Sequence, residues 1–329
     1  MRLVKNLEGH RKMVNKPKTY MGHALLKRSN QNIEWTKELL KEYIKCSQDP
    51  VYFVEHYVNI ITESGLELMK LRDYQKEMII SFKENRNTVV CMARQSGKST
   101  ATTAFILWYV LFNDAKTVGI LANKEETALV IFEKVRLAYQ YLPMWLQQGV
   151  VEFNKGSMKL ENLSEVVASA TSGSAVRGYK LDILFIDETA HVENWSEFFQ
   201  SVYPTISAGK HSKVILVSTP FGLNHYWQIW SNALSGKNNY NPILVTWDRV
   251  PGRDEAWKQE TLKGMNFDLQ QFDQEQNCSF QGSSGTLIAG WKLKELVAQT
   301  PLTTSEGLKQ YKIPEKDKIY TMIVDVSRG

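Results

Sequence analysis

The sequence has few cysteines and no pattern of zinc ligands. Its three cysteines, Cys46, Cys91 and Cys278, are odd in number and far apart, and no two of them form a CxxC pair. Its six histidines contain no HExxH motif. These absences exclude a disulfide framework, argue against zinc chemistry and fit a reducing compartment.

The sequence also lacks a long apolar run. The longest, from Ala101 to Phe112, contains Thr102 and Thr103 and is shorter than the roughly 20 residues that a membrane-spanning helix needs, so we interpret it as a buried helix. The first twenty residues have no apolar segment behind their basic residues, which excludes a secretory signal. We therefore expect the protein to stay in the cytoplasm in which it is made.

Charge is unevenly distributed although the net charge is only +5. Residues 1–30 contain eight lysines and arginines and one acidic residue, Glu8. A basic leader of this kind predicts contact with nucleic acid or with an acidic partner, and a solvated tail explains the same pattern equally well. With 43% hydrophobic and 23% charged residues, the composition is that of an ordinary globular protein.

Short apolar runs alternate with helical stretches over most of the chain. Between Asn32 and Asn59, apolar spacing predicts two short helices broken near Asp49-Pro50. The later runs are typical of strands buried on both faces, and their alternation with helices predicts an α/β fold with a parallel sheet between helices. The predicted strands are Thr88 to Met92, Thr117 to Ala122, Leu181 to Ile186, Lys213 to Ser218 and Pro242 to Thr246.

The composition changes after Val250. Residues 251–286 are polar and predicted to be helical, and Gly282-Ser283-Ser284-Gly285 indicates a flexible junction. A new strand is predicted from Ile319, so we expect the sequence to stop at the start of a further domain. We divide the chain into four parts. Residues 1–50 form an N-terminal leader and helical entry segment, and residues 51–250 form a core. Residues 251–310 form a smaller subdomain with a linker, and residues 311–329 form the start of that further domain.

A phosphate-binding loop is predicted between the first core strand and the apolar helix, in "TVVCMARQSGKSTATTAF". Backbone N–H groups of such a loop hold the phosphates, while Lys98 neutralises the β- and γ-phosphates and the Ser99 hydroxyl binds magnesium. Met92 stands where the usual motif has its first glycine, so this match needs support from other motifs. The predicted nucleotide-binding residues here are Arg94, Gln95, Ser96, Gly97, Lys98, Ser99 and Thr100.

Two carboxylates end a later apolar strand, in "LDILFIDETAH". We predict that Asp187 holds the magnesium and that Glu188 polarises the attacking water. Burying two carboxylates is costly without such a role, although the start of an exposed loop is the alternative. The strand "SKVILVSTPFG" ends in Ser218 and Thr219, which form either a plain turn or a contact beside the metal and the γ-phosphate.

Two arginines are candidates for stabilising the transition state. Arg94 lies inside the loop and can reach the γ-phosphate as an arginine finger supplied by the same chain. Arg177 precedes the Asp187 strand and serves either nucleotide or DNA, so the assignment of the finger stays open. Further upstream, Tyr74 and Gln75 offer an aromatic ring and an amide for recognition of adenine.

Together these motifs resemble the terminase large subunits of T-even-like tailed bacteriophages. The resemblance extends over residues 50–329 and is carried by "ARQSGKST", "LFIDE", "VSTPFGLNHYWQIW", "FQGSSGTLIAG" and "IVDVSRG". It implies a helicase-like or RecA-like P-loop NTPase of the additional-strand, catalytic-glutamate type, then a small helical lid subdomain and the first strand of an RNase H-like nuclease domain. It also implies ATP and Mg²⁺ as ligands, Gln75 as an adenine contact, and Ser218 with Thr219 as a coupling motif.

The resemblance further implies a role in viral genome packaging, in which ATP hydrolysis drives double-stranded DNA into a procapsid. The implied partners are this DNA, the portal protein, the small terminase subunit and further copies of the chain in a ring, in the cytoplasm of an infected host at the portal vertex. Asp325 resembles the first metal-binding carboxylate of the nuclease. Two-metal cleavage needs several carboxylates, so we expect cleavage of concatemeric DNA from a full-length parent and not from this polypeptide.

Two rival interpretations differ in protein class. A superfamily 2 helicase-like DNA-dependent ATPase is suggested by "DETAH", which also resembles a DExx box, but the sequence after Val250 lacks the strand pattern of a second RecA-like domain. A structural capsid-associated protein without enzymatic activity would leave Asp187, Glu188 and Ser218 unexplained. We therefore favour the packaging ATPase.

Overall fold

The computed structural model describes residues 19–172, 176, 178–207, 209, 211–281, 300–305 and 308–321. The basic residues before position 19, the glycine and serine junction, Arg177 and Asp325 lie outside the described residues. The chain divides into two compact units, Met1–Gln281 and Gly282–Gly329, which are described separately below.

The first two helices form where the sequence predicts them. Helix α1, Lys37–Gln48, begins after Thr36, whose hydroxyl accepts a hydrogen bond from the N–H of Leu39. Helix α2, Pro50–Tyr57, begins after Asp49, whose side chain caps it in the same way. Proline at the first helical position suits a helix start and ends the previous helix. The predicted break at Asp49-Pro50 is therefore confirmed.

The remaining described helices alternate with strands along the first unit. The other helices are α3 Asp73–Glu84, α4 Lys98–Phe112, α5 Glu125–Gln140, α6 Trp195–Ser207, α7 His225–Leu234, α8 Glu255–Gly264 and α9 Leu269–Glu275. The strands are β1 Asn59–Thr62, β2 Gly65–Leu68, β3 Asn87–Met92, β4 Thr117–Ala122, β5 Val150–Phe153, β6 Ser157–Leu160, β7 Glu165–Ala170, β8 Ile183–Asp187, β9 Lys213–Ser218 and β10 Tyr240–Val245.

One large sheet organises the first unit. Among the described residues its strand order is β10-β3-β9-β8-β4-β7-β6-β5, with β1 and β2 paired separately as an antiparallel hairpin. From β10 to β7 every neighbouring pair is parallel, which confirms the predicted α/β class. Strands β6 and β5 extend the sheet in antiparallel fashion, which was not predicted. These strands are short and joined by tight turns, so they need no helical crossover.

Strand β9 lies between β3 and β8, and this position sets the geometry of the site. The phosphate-loop strand β3 and the carboxylate strand β8 are therefore not neighbours, which is the additional-strand arrangement. Ser218 is in register with Cys91 near the end of β3, and Asp187 is in register with Val217. The carboxyl ends of the three strands consequently meet at one edge of the sheet, where ligands bind in parallel α/β folds.

Helices cover both faces of the sheet. Helix α4 is buried along its whole middle, from Ala101 to Leu111, and packs in one apolar cluster with α1, α2, α3 and α5. Helices α6 and α7 contribute to a second cluster that contains alternate residues of the same strands. The apolar run of α4 is therefore a core helix, as expected. Within the described part of the chain, no helix combines the length and the hydropathy needed to cross a membrane.

The described part of the second unit contains one small hairpin. Strands β11, Thr303–Ser305, and β12, Leu308–Gln310, pair in antiparallel fashion. Residues Ile319–Thr321 carry no regular secondary structure, so the strand predicted to begin at Ile319 is not observed over these three positions. The remainder of that predicted strand, with Asp325, lies outside the described residues.

A close backbone approach joins the segment before α1 to the sheet edge. The N–H of Val150 donates to the carbonyl of Lys27 at 2.8 Å, and the Lys27 ammonium lies 3.4 Å from Glu161. A Cβ placed on Gly149 would lie 2.5 Å from Ser29 Cα and 2.8 Å from the Arg28 carbonyl oxygen. Only glycine fits here without backbone movement.

We therefore expect Gly149→Ala to destabilise the first unit. The added methyl group meets backbone atoms, and overpacking of this kind costs about 1–3 kcal/mol. The measurement is the midpoint of thermal unfolding by circular dichroism. Gly264→Ala is the matched control, because a Cβ at Gly264 meets nothing within 4 Å. A Gly149→Ala midpoint equal to that of the control would contradict the proposed close approach.

Candidate nucleotide-binding site

The loop between β3 and α4 has the backbone of an anion-binding turn. Gly97 immediately precedes α4 with φ +84°, and Gln95 also adopts positive φ, at +56°. The Ser96 hydroxyl donates to the carbonyl of Ala93 and closes the turn. The first N–H groups of α4 have no acceptor within the helix, so the turn presents them and the positive end of the helix dipole to a ligand.

Helix α3 supports this loop from the side. The Tyr74 hydroxyl donates to the Ser96 carbonyl at 3.0 Å, and Gln75 Nε2 donates to the Gly97 carbonyl at 3.3 Å. The Gln75 carbonyl oxygen accepts from the N–H of Arg72 at 3.0 Å. The ring of Tyr74 belongs to the apolar core, and both ends of the Gln75 amide contact backbone. These residues support the loop, and an adenine contact by Gln75 stays a prediction.

The α8–α9 segment, residues 251–281, supports the loop from another side. The N–H of Arg94 donates to the Glu275 carbonyl at 2.9 Å, and its guanidinium forms an ion pair with Glu275 at 3.0 Å. The Arg94 side chain remains 62% exposed despite this pair. Arg94 is therefore paired with α9 in this structure through one nitrogen of its guanidinium.

Arg253 forms a second connection from the same segment, which the sequence did not reveal. Its Nη2 donates to the carbonyls of Arg94 at 3.0 Å and Gln95 at 3.1 Å, and its Nη1 donates to Gln276 at 3.1 Å. Its guanidinium also lies 4.6 Å from the centre of the Trp257 ring. A planar guanidinium can donate to three acceptors while it stacks on a ring, whereas an ammonium group is a compact charge with no planar face for stacking.

Four predicted residues converge at the carboxyl edge of the sheet. Lys98 Nζ lies 2.9 Å from Glu188 Oε1, and the Ser99 hydroxyl donates to Asp187 Oδ2 at 2.7 Å. Lys98 and Asp187 are both buried. Residues separated by some ninety positions in the sequence are thus in direct contact beside the loop.

The surroundings of Asp187 suit a magnesium ion. Burial raises the pKa of this carboxyl group, and the nearby Lys98 cation opposes the rise. Its Oδ1 is buried and finds no hydrogen-bond partner among the described residues. The described residues contain no cluster of three or more His, Cys, Asp or Glu side chains that could hold a metal. Magnesium commonly binds to one or two protein oxygens and completes its shell with water and phosphate, so Ser99 and Asp187 fit it.

Glu188 occupies a strained position directly after β8. Its backbone lies in the left-handed region, with φ +49° and ψ +42°, which is uncommon for a residue with a side chain. Its Oε2 lies 3.6 Å from His191 Nδ1, whereas Lys98 contacts the other carboxylate oxygen, Oε1. Backbone strain of this kind occurs at functional sites, where the surrounding structure holds it in place.

Ser218 and Thr219 lie beside the same turn and are both buried. The Ser218 hydroxyl accepts from the N–H of Ala190 at 3.1 Å, and Asn224 donates to the Ala190 carbonyl at 2.6 Å. The end of β9 is therefore bonded to the turn that carries Glu188.

Lys134 of α5 is a further neighbour of the site that the sequence did not indicate. Its Nζ lies 3.4 Å from the hydroxyl of Thr100, in the first turn of α4.

The sheet order and this site define the chain as a P-loop NTPase fold of the additional-strand class. The family model described as "Terminase large subunit, T4likevirus-type, N-terminal" matches residues 89–295, well over half of the chain. The chain therefore belongs to this terminase large subunit family. The helicase-like alternative gains no support from this match.

Known proteins agree with this assignment. The terminase large subunit of Thermus virus P23-45 is 22% identical over 300 residues, which cover 82% of this chain and 60% of that protein. The ATPase domain of the Thermus phage P74-26 large terminase superposes with a TM-score of 0.54 at 21% identity, covering 64% of this chain and 94% of that domain. The HK97 bacteriophage large terminase superposes with a TM-score of 0.61 at 18% identity, covering 79% of this chain and 60% of that chain. The chain thus spans about 60% of its curated relative.

We expect Arg253→Lys to weaken nucleotide binding by about tenfold, because lysine keeps the charge but loses the shared hydrogen bonds that hold the loop. The measurement is titration with a fluorescent ATP analogue. Arg86→Lys is the matched control, since the Arg86 side chain donates to the carbonyl of Gly209 and, among the described residues, to no atom of the loop. Equal affinities in the two variants would show that Arg253 does not shape the binding loop.

Proposed function

We propose that this chain binds ATP with magnesium at the carboxyl edge of its sheet and hydrolyses the γ-phosphate. The observation that carries the proposal is the contact of Lys98 with Glu188 and of Ser99 with Asp187 directly beside a phosphate-binding turn. A cation, a metal-binding pair and a general base are the groups that phosphoryl transfer to water requires.

Lys98 has two partners in this mechanism. In the structure it neutralises Glu188, and a bound triphosphate offers it a stronger anion at the N-terminus of α4. When Lys98 turns to the phosphates, Glu188 becomes free to accept the proton of a water molecule. The oxygen of that water then attacks the γ-phosphorus, and the bond to the β-phosphate oxygen breaks.

The groups around the reacting phosphate have separate roles. Magnesium bound through Ser99 and Asp187 would neutralise charge on the phosphate oxygens. Arg94, once released from Glu275, would stabilise the charge of the transition state, and Arg177, which lies outside the described residues, is the alternative for this role. Gln95, Ser96, Gly97 and Thr100 would hold phosphates, while Ser218 and Thr219 would relay the state of the site to the turn that carries Glu188.

We further propose that hydrolysis drives double-stranded DNA into a procapsid. Membership of the terminase large subunit family supports this role. Arg94 in the loop pairs with Glu275, and Arg253 donates to the loop carbonyls, so both contacts join the loop to the α8–α9 segment. Through them a change at the nucleotide can reach that segment, which fits its proposed role as a lid. The proposed partners are viral DNA, the portal protein, the small subunit and further copies of the chain. Backbone contacts without base readout suit a motor that moves any sequence.

We expect Glu188→Gln to lose at least about 100-fold in ATP turnover while it still binds ATP, because the amide cannot accept the proton of the water. Steady-state phosphate release, with and without double-stranded DNA, measures the first effect, and titration with an ATP analogue measures the second. The exposed Glu193→Gln is the matched control and should turn over ATP like the wild type. Turnover by Glu188→Gln near the wild-type rate would remove Glu188 from the proposed role.

A further inference from the structure

The proposed mechanism leaves Glu188 without its main partner at the moment of reaction. Lys98 contacts Oε1 of Glu188, but the same ammonium is needed at the phosphates. A carboxylate at a strained turn that loses its ion pair can rotate away from the attacking water. A misplacement of about 1 Å can lower a rate by two orders of magnitude, so another group must hold the carboxylate.

His191 is placed to hold it. Its Nδ1 faces Glu188 Oε2 at 3.6 Å, an ion-pair distance that is slightly longer than a hydrogen bond. This nitrogen is buried and has no hydrogen-bond partner in the described part of the chain. The backbone supports the arrangement, because the N–H of His191 donates to the Glu188 carbonyl at 2.8 Å.

The ring of His191 is itself held by an aromatic neighbour. Phe221 stacks on it, with 4.6 Å between the ring centres and 30° between the planes. Phe221 follows the Ser218-Thr219 pair on the loop between β9 and α7, and its side chain is half-exposed. Burial lowers the pKa of His191, and Nδ1 donates to a carboxylate whenever it carries a ring proton.

We propose that His191 is a positioning residue for Glu188, and that Phe221 fixes the His191 ring in the required orientation. The inference rests on the proposed ATPase function and deepens it. When Lys98 turns to the phosphates, Nδ1 of His191 closes on Oε2 and keeps the other carboxylate oxygen directed at the water. Because Phe221 lies on the loop after β9, a movement of that loop changes the position of the catalytic carboxylate.

The shape of amide side chains provides a sharp test. The amide nitrogen of asparagine can occupy the place of Nδ1, whereas that of glutamine corresponds to the more distant Nε2. We expect His191→Ala and His191→Gln to lower kcat for ATP by about 10- to 100-fold. His191→Asn should retain most of the wild-type kcat, and KM should stay within about twofold in all three variants, since ground-state binding is unchanged.

Steady-state phosphate release and titration with an ATP analogue give the two readouts for each variant. A wild-type kcat in His191→Ala, or an equal loss in His191→Asn and His191→Ala, would overturn the positioning role. A KM that rises in step with the loss of kcat would also overturn it and would indicate a general structural effect. Absence of turnover in the wild-type chain itself would overturn the proposed function, and this inference with it.

The stacking contact is tested separately in the same assay. Phe221→Tyr keeps a ring over His191 and should keep the wild-type kcat, whereas Phe221→Ala should lower kcat with an unchanged KM. Thermal unfolding of both variants identifies any loss of folded protein. Equal kcat values in Phe221→Tyr and Phe221→Ala would show that the ring does not position His191.

Discussion

The ion pair between Lys98 and Glu188 is the interaction on which the rest of the site depends. It joins the start of α4 to the end of β8, and it holds a buried cation beside a loop whose backbone is shaped for anions. Burying a lysine without a counter-charge is costly, so Glu188 compensates Lys98 in this structure, and we propose that a phosphate replaces it when nucleotide binds. The same exchange frees Glu188 for its proposed role as a base, which couples substrate binding to the activation of the catalytic group.

The fold places these two residues together through its strand order. Strand β9 separates β3 from β8, and at the end of β8 the Asp187-Glu188 pair contacts Lys98 and Ser99 at the start of α4. Support for the loop then comes from outside the sheet, from Tyr74 and Gln75 on one side and from Arg253 and Glu275 on another. The loop is therefore directly bonded to the α8–α9 segment, which suits the proposed role of the chain in a motor.

The sequence was informative where the signal is local. The apolar strands β4 and β9 were predicted at their observed bounds, and the break between α1 and α2 followed from Asp49-Pro50. Strands β5, β6 and β7 were missed because they are short and partly exposed. The close approach at Gly149 was missed because it involves the backbone of Arg28 and Ser29, which are distant in the sequence. Arg253 and Glu275 carry no motif of their own, and His191 ends the "DETAH" motif without a role that the sequence assigns to it. They act through contacts with the loop or with Glu188, and for Arg253 and Glu275 these contacts span more than 150 positions.

We propose that Lys98 exchanges Glu188 for a triphosphate, and calorimetric titration with a non-hydrolysable ATP analogue tests this exchange most directly. In the presence of magnesium we predict binding of one analogue per wild-type chain, much weaker binding after chelation of magnesium, and loss of binding in Lys98→Met. Absence of binding in the wild-type chain, or an affinity of Lys98→Met equal to that of the wild type, would contradict the account.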